Sequence, residues 1–229
     1  MADGPAVKIC GLTRRQDAEE ADALGADYLG VVLTGGFSRS VDPAVAAGVV
    51  SGLRATPVAV LVDEAPDAAA ALADGLGAGV VQLHGAESPD DVERLRSLGG
   101  WRLWKSVRAS GPGDVEDAVR RFGSLVDGIL VEGRKAGVVG GGGARVDPDA
   151  VGRLRDLVSP PLRLVLAGGL TPDSVAAAVN RHGPDVVDVS SGVERETGRK
   201  DRELLRRFLI EARRVRSPEH PLPSSGDVP

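Results

Sequence analysis

Cysteine is almost missing from this chain of 229 residues: Cys10 is the single one. That excludes an internal disulfide framework and a multi-cysteine metal site. An excess of positive charge is missing too, because 28 basic side chains face 33 acidic ones and the net charge is −5. A nucleic-acid binder needs a basic footprint to neutralise phosphates, so DNA and RNA are not expected as partners. No apolar run approaches the roughly 20 residues that span a bilayer, which removes a membrane-spanning role. The opening MADGPAVKIC has neither the basic nor the apolar segment of an export signal, and the expected compartment is the cytoplasm. What the chain does have is apolar mass, at 42%, enough to fill a core of this size. It also has 31 glycines, about twice the usual share of roughly 7%.

Eight short apolar runs recur: residues 6–10, 28–33, 57–62, 79–84, 102–107, 127–132, 162–167 and 185–190. They are nearly continuous rather than alternating, as strands of a parallel sheet covered on its outer face require. Between them lie segments with apolar residues three and four apart, such as Val92, Leu95 and Leu98, Val151, Leu154 and Leu157, or Leu204, Leu205, Phe208, Leu209 and Ala212. These read as amphipathic helices, with Thr13, Ser88 and Thr171 as expected N-caps. Strands alternating with helices at regular spacing predict one α/β domain, a closed (β/α)8 barrel over residues 1–216. The tail, residues 217–229, is rich in Pro and Ser and is expected to be disordered.

A barrel of this kind builds its site from the C-terminal tips of the strands and the loops that follow. The tips hold Cys10 after strand one, Arg39 in the loop TGGFSRS after strand two, His84 after strand four and Glu132 after strand six. Strands seven and eight end in Gly168–Gly169 and in Ser190, Ser191 and Gly192. Those last two loops suit a phosphate, since glycine lets backbone N–H groups approach an anion closely. Cys10 is placed to act as base or nucleophile. Glu132 closes a run as apolar as GILV and is expected to have a raised pKa and donate a proton. Arg39 can pair a substrate carboxylate. His84 lacks metal-ligand partners at any recognisable spacing and reads as a hydrogen-bonded strand-tip histidine; no metal is expected. Asp188, inside strand eight, reads as a structural or orienting carboxylate.

With these positions in view, the chain resembles the phosphoribosylanthranilate isomerase family from about Val7 to Phe208. The resemblance rests on KICGLT at 8–13, SRSV at 38–41, QLHG at 82–85 followed by ES, DGILVEG at 127–133, GGGGARVD at 140–147, LAGGLTPDSV at 166–175, and DVSSGVE at 188–194 with GRKD at 198–201. It implies a cofactor-free Amadori rearrangement of a small phosphorylated substrate in tryptophan biosynthesis, by a monomer or homodimer. By that resemblance Cys10 is the general base, Glu132 the general acid and Arg39 the partner of the anthranilate carboxylate; His84, from its place at the tip of strand four, is expected among the substrate-binding residues. Phosphate would be held by Gly141, Gly142, Gly168, Gly169, Ser191 and Gly192. Three departures stand out. The family acid is usually aspartate, and Glu132 is longer by one methylene, about 1.5 Å; the loop TGGFSRS lacks the usual proline; and VDP replaces an aromatic pair. Two alternatives stay open: a related isomerase acting on another N-glycoside phosphate, and a phosphate-binding barrel without catalysis.

Overall fold

The computed structural model of the chain describes residues 4–133 and 153–214. Eight parallel strands form a closed barrel in sequence order: β1 Ala6–Ile9, β2 Tyr28–Val32, β3 Thr56–Leu61, β4 Val80–Leu83, β5 Arg102–Ala109, β6 Gly128–Gly133, β7 Arg163–Leu166 and β8 Val186–Val189. Closure comes from β8 against β1, with Lys8 opposite Asp188 and Ile9 opposite Val189. The expected closed barrel is therefore the observed one. Around it run α1 Arg15–Ala23, α2 Pro43–Val50, α3 Pro66–Leu76, α4 Pro89–Leu98, α5 Pro112–Phe122, α6 Leu154–Leu157, α7 Val175–His182 and α8 Arg202–Ala212. Between β8 and α8 the chain inserts a 3₁₀ turn, Ser191–Val193, and a small antiparallel hairpin, β9 Glu194–Glu196 with β10 Arg199–Lys200. The tail from Ser217 lies outside the described residues, as do Gly141, Gly142 and Val151.

Of the three expected caps, Ser88 holds: its hydroxyl accepts from the Asp91 N–H while the Asp91 carboxylate accepts from the Ser88 N–H, a capping box. Thr13 does not cap α1. Its hydroxyl instead donates to the Gly198 carbonyl at 2.7 Å, tying the first loop to the β9–β10 hairpin, and α1 starts at Arg15. Thr171 is displaced as well, since α7 begins only at Val175. Its carbonyl closes a preceding turn by accepting from the N–H groups of Ser174 and Val175.

Strand parity sorts the side chains. One set of strand residues, including Ile9, Leu29, Leu61, Leu83, Leu103, Ile129 and Leu164, points outward and packs against the helices in the main core. Each is almost wholly buried, so truncating one to Ala would cost about 2–5 kcal/mol. The alternate set points inward: Tyr28, Val58, Val60, Val80, Trp104, Leu130, Val165 and Val186 fill the barrel axis. Tyr28 and Trp104 meet there edge to face, with centroids 5.1 Å apart. Counting upward by two from these positions brings the inward parity to Val32, His84, Arg108, Glu132, Ala167 and Ser190 at the barrel mouth.

Candidate active site

A cavity of about 490 Å³ opens at that mouth, a size that suits a small-molecule ligand. Cys10, Arg39, His84, Glu132, Gly168, Gly169, Ser191 and Gly192 all border it. Residues as far apart in sequence as Cys10 and Glu132 border one cavity because the closed sheet brings the ends of β1 and β6 to the same mouth.

Glu132 is held on two sides. Its Oε1 accepts from Arg108 Nε at 2.9 Å and meets His84 Nε2 at 3.2 Å. On the far edge of the imidazole, Nδ1 faces the Gln82 amide nitrogen and the Ser106 hydroxyl, both at 2.9 Å. An amide nitrogen can only donate, so Nδ1 accepts and the ring proton sits on Nε2, aimed at Glu132. This overturns the expected raised pKa. Burial does push the Glu132 carboxyl up, but His84 and Arg108 outweigh it and hold the group below its ordinary value. The sequence expectation counted the apolar strand and not the hydrogen-bond donors, Arg108 and His84, on its neighbours.

Cys10 lies just past β1, above a buried ion pair in which Lys8 Nζ donates to Asp188 Oδ1 at 2.9 Å. Burial pushes the Cys10 thiol up; the Lys8 ammonium pulls it down, the Asp188 carboxylate pushes it up, and the net direction is upward. Lys8 itself remains charged, because Asp188 and Cys10 more than offset the burial that disfavours its ammonium. Asp188 is thus committed to a buried ion pair with Lys8.

Arg39 presents its fork to Glu194 rather than to solvent: Nε and Nη2 donate to Oε1 and Oε2 at 2.8 and 2.6 Å. Glu194 also accepts from Lys200 Nζ at 2.8 Å, and Lys200 donates on to the Ser190 carbonyl at 3.2 Å. These bonds join the loop after β2, the tip of β8 and the hairpin into one rim. Burial disfavours a bare carboxylate at Glu194, yet Arg39 and Lys200 hold its pKa down.

Adjoining that rim, Gly168 and Gly169 follow β7 with φ of 90° and 60°. Residues with side chains rarely adopt two such angles in succession. The turn brings their backbone beside that of Ser191 and Gly192, which follow β8, so two polar backbone loops border the cavity side by side. Gly192 backs so closely onto the Leu170 carbonyl that a Cβ would overlap it.

Sequence reading passed over Lys8, Gln82, Ser106, Arg108, Glu194 and Lys200. For Lys8 and Gln82 a signal was present: each stands two residues before a singled-out tip residue and so shares its inward parity. Arg108 escaped because the fifth apolar run ends at Val107, whereas β5 continues to Ala109. Glu194 and Lys200 belong to a hairpin with no periodic pattern. Among the described residues, no group of three or more His, Cys, Asp or Glu side chains is arranged to hold a metal ion, and no helix is long and apolar enough to cross a membrane.

Residues 7–211 match the family model described as N-(5'phosphoribosyl)anthranilate (PRA) isomerase. The chain is 40% identical over 215 residues to N-(5'-phosphoribosyl)anthranilate isomerase of Chromohalobacter salexigens, covering 93% of this chain and 96% of that one. A relative of the same name from Hyphomonas neptunium is 38% identical over 217 residues, covering 93% and 99%. Among solved structures, phosphoribosyl anthranilate isomerase from Thermotoga maritima superposes with a TM-score of 0.79 at 30% identity, over 91% of this chain and 98% of that chain. A structure of the same enzyme type, in complex with reduced 1-(o-carboxyphenylamino)-1-deoxyribulose 5-phosphate, superposes with a TM-score of 0.76 at 30% identity, over 91% and 98%. An inward-facing thiol and carboxylate above a closed eight-stranded barrel, and a family match over nearly its whole length, place this chain in the N-(5'-phosphoribosyl)anthranilate isomerase family.

Proposed function

We propose that the chain converts N-(5-phosphoribosyl)anthranilate to 1-(2-carboxyphenylamino)-1-deoxyribulose 5-phosphate, with Cys10 as general base and Glu132 as general acid. The observation that carries this reading is that both groups open onto one cavity, between Arg39 and the two glycine loops. The neutral Glu132 carboxyl protonates the furanose ring oxygen; the C1′–O bond breaks and an iminium forms at C1′=N. The Cys10 thiolate then takes the C2′ proton and leaves an enolamine. Return of a proton to C1′ and loss of the C2′ hydroxyl proton give the ketone, so the reaction is a net isomerisation without gain or loss of atoms or electrons.

Geometry supports each role. The iminium brings a positive charge close to Cys10, which favours the thiolate that burial disfavours. His84, with its proton on Nε2, orients the Glu132 carboxyl toward the substrate. Gly168, Gly169, Ser191 and Gly192 supply backbone N–H groups to the phosphate, as oriented dipoles do for anions. Arg39, pre-set by Glu194, receives the anthranilate carboxylate on its remaining donors. A fluorescence assay following consumption of N-(5-phosphoribosyl)anthranilate by the purified chain is the direct test. Activity in the wild type that falls by a factor on the order of 100 or more in Cys10→Ser supports the reading. Unchanged turnover in Cys10→Ser would remove this thiol as the base, and no turnover by the wild type would end the reading altogether.

A further inference from the structure

The whole sequence holds six aromatic side chains: Tyr28, Phe37, Trp101, Trp104, Phe122 and Phe208. All six lie in the described residues, and five are buried. Tyr28 and Trp104 fill the barrel axis, while Trp101, Phe122 and Phe208 belong to the core beneath the helices. Phe37 stands apart, 44% exposed, in the loop after β2, and among the six it is the one that borders the cavity. Leaving a phenyl ring in water forgoes the burial that would favour it, so its place at a cavity mouth calls for an apolar partner that arrives later.

The ring is presented on a firm support. The Phe37 N–H donates to Ser40 Oγ at 3.0 Å, the Ser40 N–H donates back to the Phe37 carbonyl at 3.1 Å, and Ser40 Oγ donates to the Thr34 carbonyl at 2.6 Å. Thr34 is in turn fastened to the end of β3, accepting from the Val62 N–H at 3.0 Å and donating to Glu64 at 2.8 Å. Two residues along the same loop is Arg39, whose Nε and Nη2 are engaged by Glu194 while Nη1 has Ser38 Oγ at 3.4 Å. One short, braced loop therefore offers an uncovered aromatic ring and a partly available guanidinium edge to the same cavity.

We infer that Phe37 is the aryl-recognition residue of this site: the substrate's aromatic ring packs against Phe37 while its ortho carboxylate meets Arg39. The inference deepens the proposed function and rests on it. The other five Phe, Trp and Tyr side chains are committed to the core, so Phe37 is the one phenyl, phenol or indole ring open to the substrate's aryl group, and it selects N-aryl over N-alkyl ribosylamine phosphates.

Binding of two probes tests this: reduced 1-(o-carboxyphenylamino)-1-deoxyribulose 5-phosphate, which carries the ring, and inorganic phosphate, which does not. Phe37→Leu should weaken binding of the ring-bearing probe by about fivefold or more, from the loss of an aromatic pair. KM should rise alongside with kcat nearly unchanged, as loss of uniform binding predicts. Phosphate affinity should stay at the wild-type value, and Phe37→Tyr should restore tight binding of the ring-bearing probe. Wild-type affinity of Phe37→Leu for that probe, in an enzyme that turns over N-(5-phosphoribosyl)anthranilate, overturns the Phe37 assignment alone. Weakening of both probes in step also overturns it, since Phe37 would then act through the loop. A wild-type chain that neither turns over N-(5-phosphoribosyl)anthranilate nor binds the ring-bearing probe overturns this assignment together with the proposed function.

Discussion

Arg108 and Glu132 stand directly opposite each other on β5 and β6, and the guanidinium Nε lies 2.9 Å from the carboxylate Oε1. That pairing, with His84 on the other side, keeps Glu132 ionised, while burial keeps Cys10 a thiol. The proposed reaction needs the opposite arrangement, a neutral carboxyl and a thiolate. Both arrangements hold the same number of protons, so the productive one is a small fraction whose size does not change with pH between the two pKa values.

The expected kcat/KM profile is consequently a broad plateau. Its acid limb lies below the ordinary glutamate value and its alkaline limb above the ordinary thiol value. Arg108→Gln removes one cation from Glu132 and raises its pKa. The acid limb should move to higher pH and the plateau should rise with the productive fraction. An acid limb that stays in place in this variant would detach the low-pH limb from Glu132.

Changing the acid itself gives a second test. Glu132→Asp draws the carboxyl back by about 1.5 Å from both His84 and Arg108. Its expected activity equals or exceeds that of the wild type, because a weaker hold on the carboxylate favours the neutral form. Glu132→Gln keeps the shape and cannot donate an acidic proton, and a loss by a factor on the order of 100 or more is expected. Equal steady-state rates in Gln and wild type would take Glu132 out of the mechanism.

Glu194 neutralises two cations at once, and its side chain and that of Lys200 are almost fully buried. Glu194→Gln leaves the Lys200 ammonium buried without its counter-ion, at a cost of about 3 kcal/mol. In a domain of this size that lowers Tm by roughly 6–12 °C. The native pKa of Glu194 is depressed, so its stabilisation is complete above the unfolded value of about 4.3 and fades as pH falls through the native value. The variant's deficit, measured by thermal unfolding at several pH values, should shrink in that acid range. A deficit that is constant with pH would refute the ionic origin.

Gly30 is the clearance for the base. A Cβ built there would stand 2.9 Å from Cys10 Sγ and 3.1 Å from Lys8 Nζ. Both are side-chain ends, so Gly30→Ala should fold with a penalty of about 1–3 kcal/mol. The sulfur has to move, however, and kcat should fall by about tenfold or more. Unaltered kcat with a lowered Tm would show that the position of Cys10 Sγ is not critical.

Much of the fold was legible in the linear chain because backbone geometry is a local code. Near-continuous apolar runs mark strands covered on the outside, three-and-four spacing marks helices, and their regular alternation leaves a closed barrel as the compact arrangement. The positions of Cys10, His84 and Glu132 at strand ends followed from the same counting, and with them the mouth of the barrel as the site. The thresholds of helices were less readable: Thr13 looks like a cap by type, yet its hydroxyl is taken by Gly198, 185 residues away.

Charge was the part that needed coordinates. Electrostatic effects depend on which groups lie within a few ångströms, and in a closed barrel those neighbours come from distant points of the chain. Arg108 beside Glu132, Lys8 beneath Cys10 and Glu194 against Arg39 are such neighbours. Order along the polypeptide settled the barrel and which residues reach its mouth, since strand parity is a property of consecutive residues. Barrel closure and the hairpin after β8 settled which of them are protonated, paired or left open to a ligand, because only folding sets the distances on which Coulomb energies and hydrogen bonds depend.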